Sequence, residues 1–389
     1  MRYRLAGGVT GIGLTLLGLL TAAGAVDPQG ETGKKSEDDD CRRAVELTVQ
    51  AVKLGDSGAE SAEEERLYSE AIGACGTLPE ARYNRALLYR RQGKRERALD
   101  DLGKALELRD DDRFRVARGR IYGELKQYDE ARADFTAVLN RAPTEAGALI
   151  GLATVVEAQG DRAQAIHLLE RGREAEPTSS VIRFNLGVLY ELSGRVADAD
   201  GEYARATELD PLNGEALYRR GVLLSARGEG NKAIAAFERA VSAGGESEIP
   251  ARSSLARILR ERKALEKAEL ILRRGLERSR DNQQLQRELA GILFEQGRFE
   301  QVVEIAGGAL VAEPRQPYLL LVKGASERRL GRLEAAERSL IEAAQLESKN
   351  PVIHRELAHL FRALGRSEES SRHALVSKEL EQSSLVPRE

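Results

Sequence analysis

Apolar and polar residues alternate along most of the chain with the period of an amphipathic helix. From residue 79 onward, apolar residues recur at positions i, i+3, i+4 and i+7, in stretches separated by short turns that contain glycine. No stretch alternates convincingly with the two-residue period of a half-buried strand. The pattern therefore predicts an all-α protein whose helices stack through their apolar faces.

One helical segment recurs along the chain. The sequence at residues 83–93 returns in similar form at residues 184–194 and again at residues 218–228. A second helical stretch follows each copy, with a bulky residue four places after an alanine, as in Ala199 and Tyr203. Prolines close three units at intervals of 34 residues, at Pro143, Pro177 and Pro211. Repetition at a fixed period of this length predicts an array of helix pairs.

These features resemble the tetratricopeptide repeat family over most of the chain. The resemblance implies a right-handed superhelical solenoid of antiparallel helix pairs, with nine repeats over residues 79–384, the last a degenerate polar cap. The expected units are 79–111, 112–145, 146–179, 180–213, 214–248, 249–282, 283–316, 317–350 and 351–384. The family's small-residue position in the first helix is held by Ala86, Gly119, Ala153, Gly187, Gly221, Ala256, Ala290, Gly324 and Ala358. Small side chains are needed there because the helix axes cross closely.

The first 25 residues have the three-part pattern of a secretory signal peptide. Two arginines precede an uncharged stretch with an apolar core at residues 12–20, and small residues at 23–25 form a signal-peptidase site. We therefore expect export to a periplasm or to the extracellular space. The alternative is an uncleaved membrane anchor facing outside the cytoplasm, since about 20 apolar residues can span a bilayer.

A polar linker and a short tail are expected on either side of the helical region. Residues 27–40 contain no apolar side chain, so we expect residues 26–40 to be disordered. Residues 385–389 are expected to form a tail after the last repeat.

Residues 41–78 are expected to form an additional helical hairpin before the repeats. Cys41 opens its first helix and Cys75 follows its second, and these ends lie side by side in an antiparallel hairpin. Outside the cytoplasm the two thiols would be oxidised to a disulfide, worth roughly 3–4 kcal/mol on the chain-entropy model. The alternative is a pair of free, buried thiols.

Composition argues against several classes of function. The 60 basic and 63 acidic residues nearly cancel, which does not support a nucleic-acid-binding surface. Two Cys and four His leave little material for a metal site, and His354 and His359 do not share a helix face. No phosphate-binding loop or catalytic constellation is evident, and no cofactor is predicted. We therefore expect a protein that is not an enzyme.

The family resemblance places partner binding in a concave groove lined by first helices. The predicted groove residues are Ile150, Val181, Phe184, Asn185, Val188, Tyr218, Arg219, Val222, Arg257 and Arg260. An apolar floor beside guanidinium groups would suit an extended peptide or helix, and an acidic segment would fit. The competing interpretation is that the aromatic positions are ordinary repeat core and the arginines only solvate the groove.

Two functions follow from this reasoning. The first is a protein-interaction scaffold or adaptor of the cell envelope, with membrane contact only through an uncleaved signal segment. The alternative is a carbohydrate- or cell-wall-binding module that serves envelope synthesis. The absence of Trp favours the first, because sugar sites use exposed aromatic platforms. The identity of the partner and the oligomeric state are left open.

Overall fold

The structure of the protein, a computed structural model, describes residues 32–56 and 61–384. These residues fall into two compact units, divided between Asp210 and Pro211. The predicted signal peptide, residues 26–31 of the predicted linker and the predicted tail lie outside the described residues. Helices α1 to α10 belong to the first unit and α11 to α20 to the second, and no strand occurs within the described ranges.

The bounds of the helices follow the repeat spacing. In the first unit they are α1 Thr32–Asp56, α2 Ser61–Ala74, α3 Pro79–Arg91, α4 Arg95–Leu108, α5 Asp112–Glu124, α6 Tyr128–Arg141, α7 Ala146–Ala158, α8 Arg162–Ala175, α9 Ser180–Leu192 and α10 Val196–Leu209. In the second unit they are α11 Gly214–Ala226, α12 Gly230–Ala243, α13 Glu248–Glu261, α14 Leu265–Arg278, α15 Gln283–Glu295, α16 Phe299–Ala312, α17 Pro317–Arg329, α18 Leu333–Leu346, α19 Pro351–Ala363 and α20 Ser367–Ser384, with a 3₁₀ turn at Gly245–Ser247.

Within each unit, every helix packs on the next one along the chain, and first helices also contact the first helices of adjacent repeats. The three-residue turns between paired helices make the partners antiparallel. The prediction of an all-α fold of antiparallel helix pairs is confirmed.

The turns inside the repeats depend on one residue with positive φ. Gly194 adopts a φ of 72°, and the amide of Arg195 donates to the carbonyl of Tyr190 at 2.9 Å, which closes the end of α9. Lys263 takes the same conformation with a φ of 61°, where a glycine would be less strained. The chain can therefore reverse direction within three residues.

The small-residue positions allow the two helices of a repeat to touch. A Cβ placed on Gly187 would lie 2.7 Å from the ring of Tyr203, and one on Gly221 would lie 2.6 Å from the ring of Phe237. Both rings are fully buried. The aromatic residue of α10 or α12 thus fills the space that the glycine leaves on the helix before it, and the two rings form part of the core of their repeats.

Charged residues also join paired helices, a feature that the sequence analysis did not anticipate. Arg85 donates two hydrogen bonds, of 2.7 and 2.8 Å, to the buried carboxylate of Asp101. Arg118 likewise donates two hydrogen bonds to the carboxylate of Asp134, of 2.8 and 2.7 Å. Both arginines lie 16 residues before their partners, so each ion pair crosses from the first helix of a repeat to the second.

The N-terminal hairpin confirms one expectation and corrects another. A disulfide joins Cys41 to Cys75, as predicted. However, α1 begins at Thr32, so residues 32–40 are helical and do not belong to a disordered linker. Extending an existing helix by polar residues needs no new nucleus, and Lys and Glu are good helix formers. The lack of apolar residues therefore does not prevent the helix from starting early.

In the last helix pair a buried histidine, His354, contacts a partly exposed one, His373. His354 Nε2 lies 2.8 Å from the carbonyl oxygen of Ser348 and must donate to it. The Nδ1 of His354 is then an acceptor, and it faces the Nδ1 of His373 at 2.9 Å. The ring of His373 also stacks on Phe361, at 5.4 Å between centroids. Hydrogen bonding and stacking thus hold α20 against α19.

Candidate functional site

The predicted groove residues of the first unit are mostly core residues. Ile150, Phe184, Asn185 and Val188 are all buried, and only Val181 is partly exposed. The ring of Phe184 packs on that of Tyr203 in the following helix, at 5.9 Å between centroids. These four side chains therefore fill the interior of the first unit, and a partner could not contact them without rearrangement of the repeat.

The predicted residues of the second unit are more accessible. Tyr218 is half-buried against Phe237, at 5.9 Å between ring centroids, and Val222 is exposed. Arg219 donates to the carboxylate of Glu215 at 2.8 Å, so its charge has a partner in its own helix. These three residues are not among those that line the pocket of the second unit.

Arg257 and Arg260 line a surface pocket of about 590 Å³ in the second unit. Three consecutive first helices build this second-unit pocket: the C-terminal half of α13, one face of α15 and the beginning of α17. Its lining residues are Ala256, Arg257, Arg260, Gln283, Gln284, Arg287, Glu288, Ile292, Gln316 and Tyr318. The structure thus brings together two of the predicted residues with eight that were not among them.

The three arginines of the second-unit pocket differ in their partners. Arg260 contacts the carboxylate of Glu295 at 2.5 Å, and Arg257 contacts that of Glu261 at 3.3 Å. Arg287 is exposed and makes no ion pair with any carboxylate of the described residues. Its guanidinium lies over the ring of Tyr318, 5.0 Å from the centroid. Arg287 is therefore held in place by an aromatic face while its hydrogen-bond donors remain available.

The position of Tyr318 depends on the absence of a side chain at Gly291. A Cβ on Gly291 would collide with the Tyr318 hydroxyl, so the tyrosine can lie across α15 only because residue 291 lacks a side chain. Burial raises the pKa of the Tyr318 phenol, while Arg260 and Arg287 act in the opposite direction. The hydroxyl is therefore protonated at neutral pH and can donate a hydrogen bond.

Glu288 is the acidic residue among the pocket-lining side chains. Its burial raises the pKa of its carboxyl group, and hydrogen bonds with Ser253 and Gln284 partly counteract that effect. Ser253 also accepts a hydrogen bond from the Gln284 amide at 2.9 Å. Glu288 makes no ion pair with a cation of the described residues, although Arg257 and Arg260 act on it over a longer distance.

The side-chain amides add hydrogen-bonding capacity to the second-unit pocket. Gln283 donates to the carbonyl oxygen of Ala309 at 3.3 Å, while its own buried Oε1 has no partner among the described residues. Gln284 and Gln316 supply two further amides at the same surface. Amides of this kind pair with the backbone of an extended chain, whose N–H and C=O groups alternate along its length.

Three other arginines of first helices are paired with carboxylates of the protein itself. In the first unit Arg90 contacts Glu124 at 2.7 Å, Arg91 contacts Glu64 at 2.5 Å and Arg113 contacts Asp111 at 2.7 Å. The charge of each of these three arginines is therefore already matched by a carboxylate of the protein. Arg287 is distinguished from them by the absence of such a carboxylate among the described residues.

The described residues carry no sign of other site types. No three His, Cys, Asp or Glu side chains among them are arranged to hold a metal ion. None of the described helices combines the length and the apolar character that a membrane-spanning segment needs.

Sequence reasoning missed most of the second-unit pocket. Arg287 and Glu288 were visible as charged residues of a first helix, but no signal separated them from the many others. Gln316 and Tyr318 stand at the start of a repeat, and only the stacking of α17 beside α15 brings them to the pocket. A usable signal would have been Gly291 in a helix interior, because a helical glycine often marks a close contact.

The fold is a helical repeat array, and the second-unit pocket lies on its first helices. Family models described as tetratricopeptide repeat match residues 79–112, 124–183 and 193–248. The chain therefore carries tetratricopeptide repeats over these residues. Such repeats mediate protein–protein interactions and are typically not catalytic, so the protein is an interaction scaffold in this general sense.

Similar proteins match only in part. DnaJ homolog subfamily C member 3 of Gallus gallus is 29% identical over 154 residues, which cover 36% of this chain and 31% of the relative. Tetratricopeptide repeat protein 14 of Mus musculus is 48% identical over 56 residues, covering 14% and 7%. The chain thus spans less than a third of the length of either relative.

Solved structures show the same partial similarity. PilW, a widely conserved type IV pilus biogenesis factor, is 19% identical, with 53% of this chain and 97% of that chain covered and a TM-score of 0.46. A tetratricopeptide repeat protein from Parabacteroides merdae is 18% identical, with 64% and 98% covered and a TM-score of 0.41.

Proposed function

We propose that this protein is a non-enzymatic scaffold that holds a segment of another protein in the second-unit pocket. The observation that carries the proposal is Arg287, an exposed guanidinium stacked on Tyr318 with no carboxylate of its own among the described residues. A carboxylate of the partner would supply the missing acceptor through a charge-assisted hydrogen bond. The aromatic face and the neighbouring amides would hold the adjoining part of the segment.

The expected contribution of Arg287 is large enough to measure. Hydrogen bonds to charged groups contribute about 1.5–3 kcal/mol, which corresponds to roughly 10- to 150-fold in affinity. Arg and Tyr are also the residue types that most often dominate interface energies. Because the stacked guanidinium is already ordered, binding should cost little side-chain entropy.

We further propose that the scaffold works outside the cytoplasm, in the cell envelope. The Cys41–Cys75 disulfide supports this location, since such bonds persist in oxidising compartments, and so does the signal-peptide pattern of residues 1–25. The carbohydrate-binding alternative gains no support from the pocket. The aromatic residue that lines it, Tyr318, has a guanidinium over its ring, where a sugar would have to stack.

Cross-linking capture from the native envelope tests the proposal. The baits are the wild-type protein, Arg287→Glu, and a control, Arg274→Glu, which reverses an exposed charge on the second helix α14. All three are first checked for equal helicity by circular dichroism. We expect a partner protein captured by the wild type and by the control to be lost with Arg287→Glu. Equal capture by all three baits would show that the second-unit pocket is not the binding site.

A further inference from the structure

Glu288 presents to the second-unit pocket a carboxylate that makes no ion pair with any cation of the described residues. It follows Arg287 directly, and adjacent residues on a helix point about 100° apart, so the two side chains do not pair with each other. Both nevertheless line the same pocket. Its neighbours Ser253 and Gln284 are neutral groups, and Arg257 and Arg260 act on it only over a longer distance. A half-buried carboxylate in these surroundings is a strong acceptor without a cation.

The remaining charges around the pocket cancel in pairs. Arg260 is matched by Glu295 at 2.5 Å and Arg257 by Glu261 at 3.3 Å. Among the described residues that line the pocket, one cation, Arg287, and one carboxylate, Glu288, remain without an ion pair. A ligand that carried only acidic residues would satisfy the first and bring a like charge close to the second. Like charges placed together in a partly desolvated site oppose binding.

We propose that the second-unit pocket recognises a protein segment that carries an acidic and a basic side chain together, with Glu288 receiving the basic one. This inference rests on the proposed function and narrows its partner class, which the sequence alone indicated as acidic. In an extended segment, residues two apart point to the same side and are about 6.6–6.8 Å apart. An acidic and a basic residue at that spacing would reach Arg287 and Glu288 at once.

Selection from a random library of displayed peptides, flanked by neutral residues, tests the inference and does not require the partner to be identified first. The immobilised targets are the wild-type protein, Arg287→Ala, Glu288→Gln and the control Glu277→Gln, which removes an exposed charge on α14. Equal helicity by circular dichroism shows that each target is folded. The readout is the enrichment of acidic and basic residues in the recovered peptides.

The wild type and the control should enrich peptides in which an acidic and a basic residue lie two positions apart. Arg287→Ala should lose the preference for the acidic residue, and Glu288→Gln should lose the preference for the basic one. For one recovered peptide made synthetically, replacing its basic residue should weaken binding to the wild type about tenfold and leave binding to Glu288→Gln unchanged.

The contrary results separate the two proposals. Enrichment of purely acidic peptides, with Glu288→Gln binding them as well or more tightly, would overturn this inference and leave the proposed function standing. If the wild type enriched no peptide above the starting library, or if Arg287→Ala recovered the same peptides as the wild type, both proposals would be wrong.

Discussion

Replacing Gly187 with alanine should destabilise the protein, whereas replacing Gly201 with alanine should stabilise it. Both glycines lie in helices of the same repeat, Gly187 in α9 and Gly201 in α10. A Cβ on Gly201 would meet no atom within 4 Å, while one on Gly187 would lie 2.7 Å from two atoms of the Tyr203 ring. The two variants thus make the same chemical change and differ in the space available.

The magnitudes follow from two opposing effects. Alanine in place of a helical glycine gains about 0.5–1 kcal/mol through the lower entropy of the unfolded chain. Overpacking a buried site costs about 1–3 kcal/mol, because neighbouring side chains leave their preferred rotamers. We therefore expect Gly201→Ala to gain about 0.5–1 kcal/mol and Gly187→Ala to lose up to about 2 kcal/mol.

Thermal and urea unfolding followed by circular dichroism measure this difference. The wild type and both variants are compared by their midpoints, since a repeat array need not unfold in one step. A second background tests the cause: with Tyr203→Leu the ring is gone, so Gly187→Ala should lose most of its cost. Equal shifts for the two glycine variants, or an unchanged cost in the leucine background, would refute the packing argument.

Three further predictions concern stability. Asp101→Ala should lower the free energy of unfolding by about 3–5 kcal/mol, because it leaves the partly buried guanidinium of Arg85 without its carboxylate. Urea titration measures the change, and Asp100→Ala, at an exposed position, is the control. Breaking the Cys41–Cys75 disulfide, which spans 34 residues, by reduction or by Ser substitution should lower the free energy of unfolding by roughly 3–4 kcal/mol. An unchanged unfolding midpoint would show that the disulfide does not stabilise the fold. Acid should open the C-terminal helix pair. Burial and the nearby His354 lower the pKa of His373, so the folded state takes up this proton less readily than the unfolded chain. The stability that the neutral His373 ring gives the folded state is fully present above pH 6.5, the ordinary pKa of histidine. It is lost as the pH falls below that value. Amides of α19 and α20 should therefore be less protected from hydrogen exchange at pH 5 than at pH 7.5, and His373→Phe should reduce that difference in protection.

The features that local patterns encode could be predicted from the sequence. The helical period, the 34-residue spacing and the small-residue positions indicated the all-α repeat fold and its family, and both are confirmed. The disulfide could be predicted because both cysteines lie at the same end of one hairpin. The start of α1 at Thr32 could not be predicted, since polar residues that extend a helix do not show the apolar periodicity by which helices are recognised.

The histidine pair shows why contacts between helices were missed. Spacing within one helix correctly separated His354 from His359, but the partner of His354 is His373, which lies 19 residues further along the chain on the next helix. Phe184 shows the same limit in another form. Its position in the repeat predicted a groove contact, yet the choice between groove and core depends on how Tyr203 packs against it.

The proposed binding site could not be recognised in the sequence, because many arginines are already paired with carboxylates within the fold. Some of these ion pairs are visible in the sequence, such as Arg257 with Glu261 one helical turn away. Others, such as Arg260 with Glu295, join residues 35 apart in adjacent repeats and depend on the stacking of two first helices. The positive charge of a groove therefore cannot be counted from its arginines. The charge that the proposed partner would meet is what remains after the internal ion pairs are assigned, and in the second-unit pocket that remainder is Arg287 with Glu288 beside it.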